Sequence, residues 1–160
     1  MKIMITGSNN DLDAVAKVIG ATIEDDTMTI PGGLGSGNIK RFNFSSSMKM
    51  IVVQCVFHEE ITFKRQSLEN EEIISLGFRN VLPDRSEESD VIKQSPSVLV
   101  SRTDFEIEFL YPANTQINLI IIIIKVSSLK EMLYANHNLI SQLQPIFSIN
   151  QPFHFEEIMS

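Results

Sequence analysis

The sequence predicts a mainly β, antiparallel domain with flanking helices (α+β), and three observations carry that prediction. Seven stretches rich in Val, Ile, Phe and Thr follow one another between Ile39 and Val126, separated by short polar turns. Helical spacing of apolar residues is confined to the two ends of the chain. At 160 residues, 43% hydrophobic and 21% charged, the chain has the size and composition of one ordinary globular domain. A chain of that length buries about 70% of its unfolded surface, so its core needs no disulfide or metal.

The elements follow in order. Lys2 to Thr6 is extended, and Asn10 or Asp11 is placed to cap a helix through Leu12, Val15, Ala16 and Ile19 that Gly20 ends. Ala21–Glu24 and Thr27–Ile30 flank Asp25-Asp26, a pair suited to a tight turn, and predict a hairpin. Strands are expected at Ile39–Phe44, Met48–Phe57, Ile61–Arg65, Ile73–Arg79, Ser97–Ser101, Phe105–Leu110 and Thr115–Val126. Strands at such short spacing imply an antiparallel barrel or sandwich. Alternation gives Phe105, Ile107 and Phe109 one face and Glu106 and Glu108 a wet one, while Arg41, Asn43 and Ser45 oppose Phe42 and Phe44. The run Leu119–Ile124 does not alternate, so it reads as a strand covered on both faces at the centre of the sheet. The polar stretch between Leu82 and Pro96 is expected to be a loop. Ser127 or Ser128 would cap a helix carrying Leu129, Met132 and Leu133, and a second helix is expected from His137 to Leu143. The division that results is residues 1–36 as an α/β prelude, 37–126 as the barrel, and 127–160 as C-terminal helices and the start of a linker. The tail from Pro152 to Ser160 stays apolar at every second or third place, which suggests that more chain follows.

Composition narrows the function. Thirteen Lys and Arg against 20 Asp and Glu give a charge of −7, and no basic run exceeds two residues, which argues against direct nucleic-acid binding. The longest apolar run is about half a membrane span, and the N-terminus turns polar too early for a secretory signal, so a cytoplasmic location is expected. Cys55 is the single cysteine and lies in an apolar strand, where a thiol behaves as a small core residue.

The conspicuous motifs favour bland readings. Pro31-Gly32-Gly33-Leu34-Gly35-Ser36-Gly37 imitates a phosphate loop, but Asn38-Ile39-Lys40 then leads into a strand instead of Lys-Ser/Thr and a helix, so it reads as a flexible entry to the barrel. His58, His137 and His154 are widely separated and lack metal-ligand spacing, so neither a metal nor a cofactor is implied. The adjacent acidic pairs sit in turns or tails and read as solubility. The better lead is polar residues within apolar strands: Gln54 among Val52, Val53, Cys55 and Val56, and Ser75 and Arg79 alternating with Ile74, Leu76 and Phe78. A mostly apolar interior with a few hydrogen-bonding groups suits a small molecule. Gln54, Phe57, Ser75, Phe78 and Arg79 are the candidate ligand residues, against the alternative that Arg79 points outward or pairs with Glu106 or Glu108.

The order of parts resembles the N-terminal domain of AraC-type transcriptional regulators of the Bacteroidetes type. The resemblance is carried by Ile30-Pro31-Gly32-Gly33-Leu34-Gly35-Ser36-Gly37-Asn38-Ile39, Glu60-Ile61-Thr62-Phe63-Lys64-Arg65 and Ile74-Ser75-Leu76-Gly77-Phe78-Arg79-Asn80-Val81. It continues through Pro96-Ser97-Val98, Phe109-Leu110-Tyr111-Pro112-Ala113-Asn114-Thr115, Val126 to Leu133, and Pro152 to Ile158. It implies a cupin-like antiparallel β-barrel or jelly roll that binds a small-molecule effector or mediates dimerisation. DNA would be bound only through a C-terminal helix-turn-helix domain that this chain does not contain. The His-x-His of enzymatic cupins is missing, leaving the Pro112-Ala113-Asn114 turn as the remnant of the second cupin motif, so an enzyme is not expected.

Leu129, Met132, Leu133, Leu139 and Leu143 form the candidate homodimer surface, with packing back on the barrel as the alternative. Two other functions compete. A metal-independent cupin enzyme of the sugar isomerase or lyase type would need Glu106, Glu108 or His58 as base. A purely structural dimerisation module would have a filled barrel.

Overall fold

The computed structural model describes residues 2–5, 12–65, 72–80, 95–102, 106–134 and 154–158. Helix α1 (Leu12–Ile19) forms where apolar side chains recur every three or four positions, and Leu12, Val15, Ala16 and Ile19 are all buried. Gly20 closes it at φ +69°, and the Ala21 amide donates to the Ala16 carbonyl at 2.9 Å, the Schellman closure that this left-handed residue permits. Strand β1 (Lys2–Ile5) precedes the helix; β2 (Ile23–Glu24) and β3 (Thr27–Thr29) follow it as a hairpin. Asp25 and Asp26 both have positive φ, +46° and +58°, which matches the twist of a two-residue hairpin turn.

The long strands are β4 (Gly35–Ser45), β5 (Met48–Phe57), β6 (Ile61–Arg65), β7 (Ile73–Arg79), β8 (Ser97–Arg102), β9 (Ile107–Tyr111) and β10 (Gln116–Lys125). Helix α2 (Val126–Leu133) and β11 (His154–Ile158) complete the order. One sheet of eight strands runs β11-β8-β7-β10-β5-β4-β3-β2, antiparallel throughout; a three-stranded sheet runs β1-β6-β9, with β1 parallel to β6. The mainly β, antiparallel class expected from the sequence is thus the class observed.

Strand β10 pairs with β5 on one side and β7 on the other. Its Ile117, Leu119 and Ile123 join the main core with Ile39, Ile51, Val53, Cys55 and Phe57 of the large sheet, Ile61 of the small sheet and the buried side of α1. The alternate residues face the opposite side, where Ile74, Ile124 and Val126 form a second cluster with Met48, Leu76, Val100 and Leu129 of α2. This double cover is why the isoleucine run lacks alternation.

Several expectations change. Arg41 was expected on a wet face, yet it shares the inner face with Ile39 and bridges Asp13 of α1 at 2.9 Å and Asp26 of the hairpin turn at 2.7 Å. Phe44, past an irregularity at Asn43/Ser45, stands exposed instead. Within residues 1–36, β1 pairs into the small sheet and β2–β3 extend the large one. Helix α2 begins at Val126, with the extended Lys125 in the capping position and no side-chain cap, so Ser127 and Ser128 lie in the first turn. His154–Ile158 lies in the stretch assigned to helices and linker, but it pairs with β8 as a strand at the end of the large sheet. The loop residues 81–94, Phe105 and the helix expected at 137–143 fall outside the described residues.

Candidate functional site

The two sheets face each other across a cavity of about 150 Å³. Alternation on each strand decides which side chains reach it. From the large sheet come Ile51, Val53, Cys55 and Phe57 of β5, Ile117, Leu119 and Ile121 of β10, Ser75, Gly77 and Arg79 of β7, and Leu99 and Ser101 of β8. Phe63 and Arg65 of β6 and Phe109 and Tyr111 of β9 enter from the small sheet, and Leu12 and Val15 of α1 close one flank. Gly77 keeps the wall shallow: a Cβ there would lie 3.3 Å from the Leu99 side chain.

The aromatic wall is a linked series. Phe57 and Phe63 have ring centroids 6.1 Å apart, and Phe63 meets Tyr111 edge-on at 5.6 Å. Such contacts hold flat rings in fixed orientations.

Two arginines cross the gap in opposite directions. Arg65 projects from the small sheet and is only 5% exposed; its Nη2 donates to the Arg102 carbonyl at 2.7 Å and its Nη1 approaches the Ser101 hydroxyl at 3.5 Å. Arg79 projects from the large sheet, and its guanidinium carbon lies 5.6 Å from the centroid of the Phe109 ring. Ser75 stands directly opposite Ser101 in the β7–β8 register, which places two buried hydroxyl-bearing residues beside Arg65. A second, water-sized cavity of about 10 Å³ adjoins Arg79, Asn80, Tyr111, Gln116 and Asn118. There the Gln116 amide donates to Asn118 Oδ1 at 3.1 Å.

Burial pushes the Cys55 thiol up to about 12, because no charge offsets the cost of forming a thiolate in apolar surroundings. The group in the wall is therefore a neutral thiol. Among the described residues no group of three or more His, Cys, Asp or Glu side chains is placed to hold a metal ion.

Of the candidate ligand residues, Phe57, Ser75 and Arg79 meet in the cavity wall. Gln54 and Phe78 sit one position out of phase, on the other face of the large sheet, where Gln54 registers with Asn38 and Asn118 and Phe78 with Ile120 and Val98. Arg65, Ser101, Phe63, Phe109 and Tyr111 were not singled out from the sequence. Their signal was present: Ile61-x-Phe63-x-Arg65 and Ser97-x-Leu99-x-Ser101 repeat the period-two pattern of Ser75-x-Gly77-x-Arg79. Of the candidate dimer residues, Leu129 packs on the second cluster, Leu133 is half-buried and Met132 is 55% exposed. Leu139 and Leu143 lie outside the described residues. No helix among the described residues is long and apolar enough to cross a membrane.

No protein-family model, curated protein or solved structure matches this chain.

Proposed function

We propose that this domain binds a small-molecule effector in the cavity between its two sheets and acts as the regulatory part of a cytoplasmic transcriptional regulator, as the AraC-type resemblance implies. The observation that carries the binding reading is the largely apolar and aromatic cavity into which Arg79, Arg65, Ser75 and Ser101 converge. A site of that make-up orients a ligand through a few polar contacts while its apolar body is buried. The cupin-like jelly-roll closure belongs to the same proposal.

Binding is favoured over turnover by where the ionisable groups sit. The bases an isomerase or lyase would need, Glu106, Glu108 and His58, stand exposed and outside the cavity wall. Homodimerisation through α2 is the second part of the proposal, supported by the exposed Met132 and Tyr134 on its last turn. Coupling requires the ligand to bind two states of the domain with different affinity.

A thermal-shift screen against sugars, carboxylates and aromatic acids tests the binding proposal. A true effector at one hundred times its Kd adds about 2.7 kcal/mol of stability. Flat curves for every class would refute it. Sedimentation of the wild type and Met132→Glu tests the dimer: the substitution is expected to yield monomers, and a wild type already monomeric at micromolar concentration sinks that part.

A further inference from the structure

We infer that the cavity takes an uncharged guest, a single ring or short chain bearing one hydroxyl, with that hydroxyl bonded to Ser75; this rests on the binding role proposed above. Size comes first. A cavity of about 150 Å³ is the size of an engineered apolar cavity that admits benzene, so it has room for a phenol or a short alcohol.

Ser75 is the second observation. It lines the cavity at 5% exposure, and among the described residues its hydroxyl has no hydrogen-bond partner. Ser101, opposite it in the β7–β8 register, differs in being approached by Arg65 Nη1 at 3.5 Å. A buried hydroxyl without a partner costs free energy, and a guest's hydroxyl can recover it, since each can donate or accept as the other requires. The wall beside Ser75 suits the rest of the guest. Gly77 is the next residue on the same face of β7, and it registers with Ile121 of β10 and Leu99 of β8. A hollow with apolar flanks therefore lies next to the hydroxyl, where a strand glycine lets a guest approach the backbone closely.

Charge narrows the class further. Arg65 donates to the Arg102 carbonyl, Arg79 lies over the Phe109 ring, and each has further partners within the protein, so an anionic guest would have to compete for groups already engaged. A cationic guest would need an acid, and the described residues lining the cavity include no Asp or Glu. Taking either charge into a wall made mostly of Ile, Val, Leu and Phe is costly. A sugar fits poorly for a related reason: each of its hydroxyls needs a partner, and Ser75 supplies one.

The test is calorimetric titration of the whole chain with phenol, toluene and benzoate, matched in ring and differing in the substituent. Phenol is expected to bind at least as tightly as toluene and more tightly than benzoate. Ser75→Ala is expected to weaken phenol at least about fivefold, the scale of one net hydrogen bond, while toluene affinity stays within about twofold. A smaller loss for phenol, or an equal loss for toluene, overturns the role of Ser75. Phenol binding more weakly than toluene overturns the hydroxyl assignment, and benzoate binding more tightly than phenol overturns the uncharged class; both leave ligand binding standing. If no probe binds, toluene included, the cavity-binding proposal falls and this inference with it. The wild-type comparison decides the ligand class even if Ser75→Ala fails to fold.

Discussion

Replacing Gly37 by alanine tests whether the glycine-rich segment is a flexible entry or a fitted crossing. Gly37 sits in β4 opposite Cys55 with φ +102°, a conformation that a residue with a Cβ avoids at a cost of about 1–3 kcal/mol. The added Cβ would also lie 2.2 Å from the Gln54 carbonyl oxygen and 2.6 Å from the Cys55 Cα, both backbone atoms of β5. Relief requires β4 to lift from β5, weakening one or two ladder hydrogen bonds at about 1 kcal/mol each. The expected loss is about 3–5 kcal/mol, or a fall in Tm of roughly 10 °C for a domain of this length. Gly33→Ala is the internal control: four residues away, no atom lies within 4 Å of the added Cβ and φ is not positive. There alanine restricts the unfolded chain and is expected to be neutral or to stabilise by up to about 1 kcal/mol. Urea denaturation of both variants measures the difference. Equal midpoints would refute the fitted-crossing argument and restore the flexible-entry interpretation.

Three further outcomes are expected. Met28 is fully buried in the main core, so Met28→Ala should cost about 2–5 kcal/mol in urea unfolding; a loss under about 1 kcal/mol would mean that β3 is not packed there. The Arg41 guanidinium holds the Asp13 carboxyl below its ordinary range, so its stabilising effect is present at neutral pH and disappears as acid protonates Asp13 below that range. Arg41→Ala should therefore flatten the acid limb of the stability–pH curve, and an unchanged limb would contradict the ion pair. With the Cys55 thiol at about 12, its thiolate fraction at pH 8 falls roughly a thousandfold below that of a free cysteine. Reaction with a disulfide reagent should be negligible in the folded protein and rapid in denaturant; rapid labelling of the folded form would show the wall to be open.

The strands were readable in the sequence because turn residues punctuate them and β-branched residues fill them; β5, β6 and β7 begin and end where composition places them. The way in was less readable than the strands themselves. Gln54 and Phe78 looked like site residues because they are polar or aromatic within apolar runs, yet β5 and β7 carry cover on both faces, so polarity alone does not say which side is the cavity. Arg41 misled in the same way. Its partners, Asp13 and Asp26, come from separate elements that only the fold brings together. Tyr111 and Phe109 became wall residues through pairing of β9 with β6, a contact that no local pattern announces.

The small sheet is built wholly from pairings distant along the chain. In the large sheet, β4 and β5 are joined through the tight turn at Ser45–Met48, so their ladder forms from neighbours along the chain. In the small sheet Lys2 must find Thr62 and Ile61 must find Tyr111, separations of some fifty to sixty positions. Closing loops of that length costs about 3.5 kcal/mol in chain entropy before any contact rewards it. The large sheet meets the same demand where Gln116 pairs with Val56 and Ile124 with Met48, so its centre waits on long-range closure as well. The wall that carries Phe63, Arg65 and Phe109 is therefore made of segments that meet only when distant parts of the chain have closed on one another.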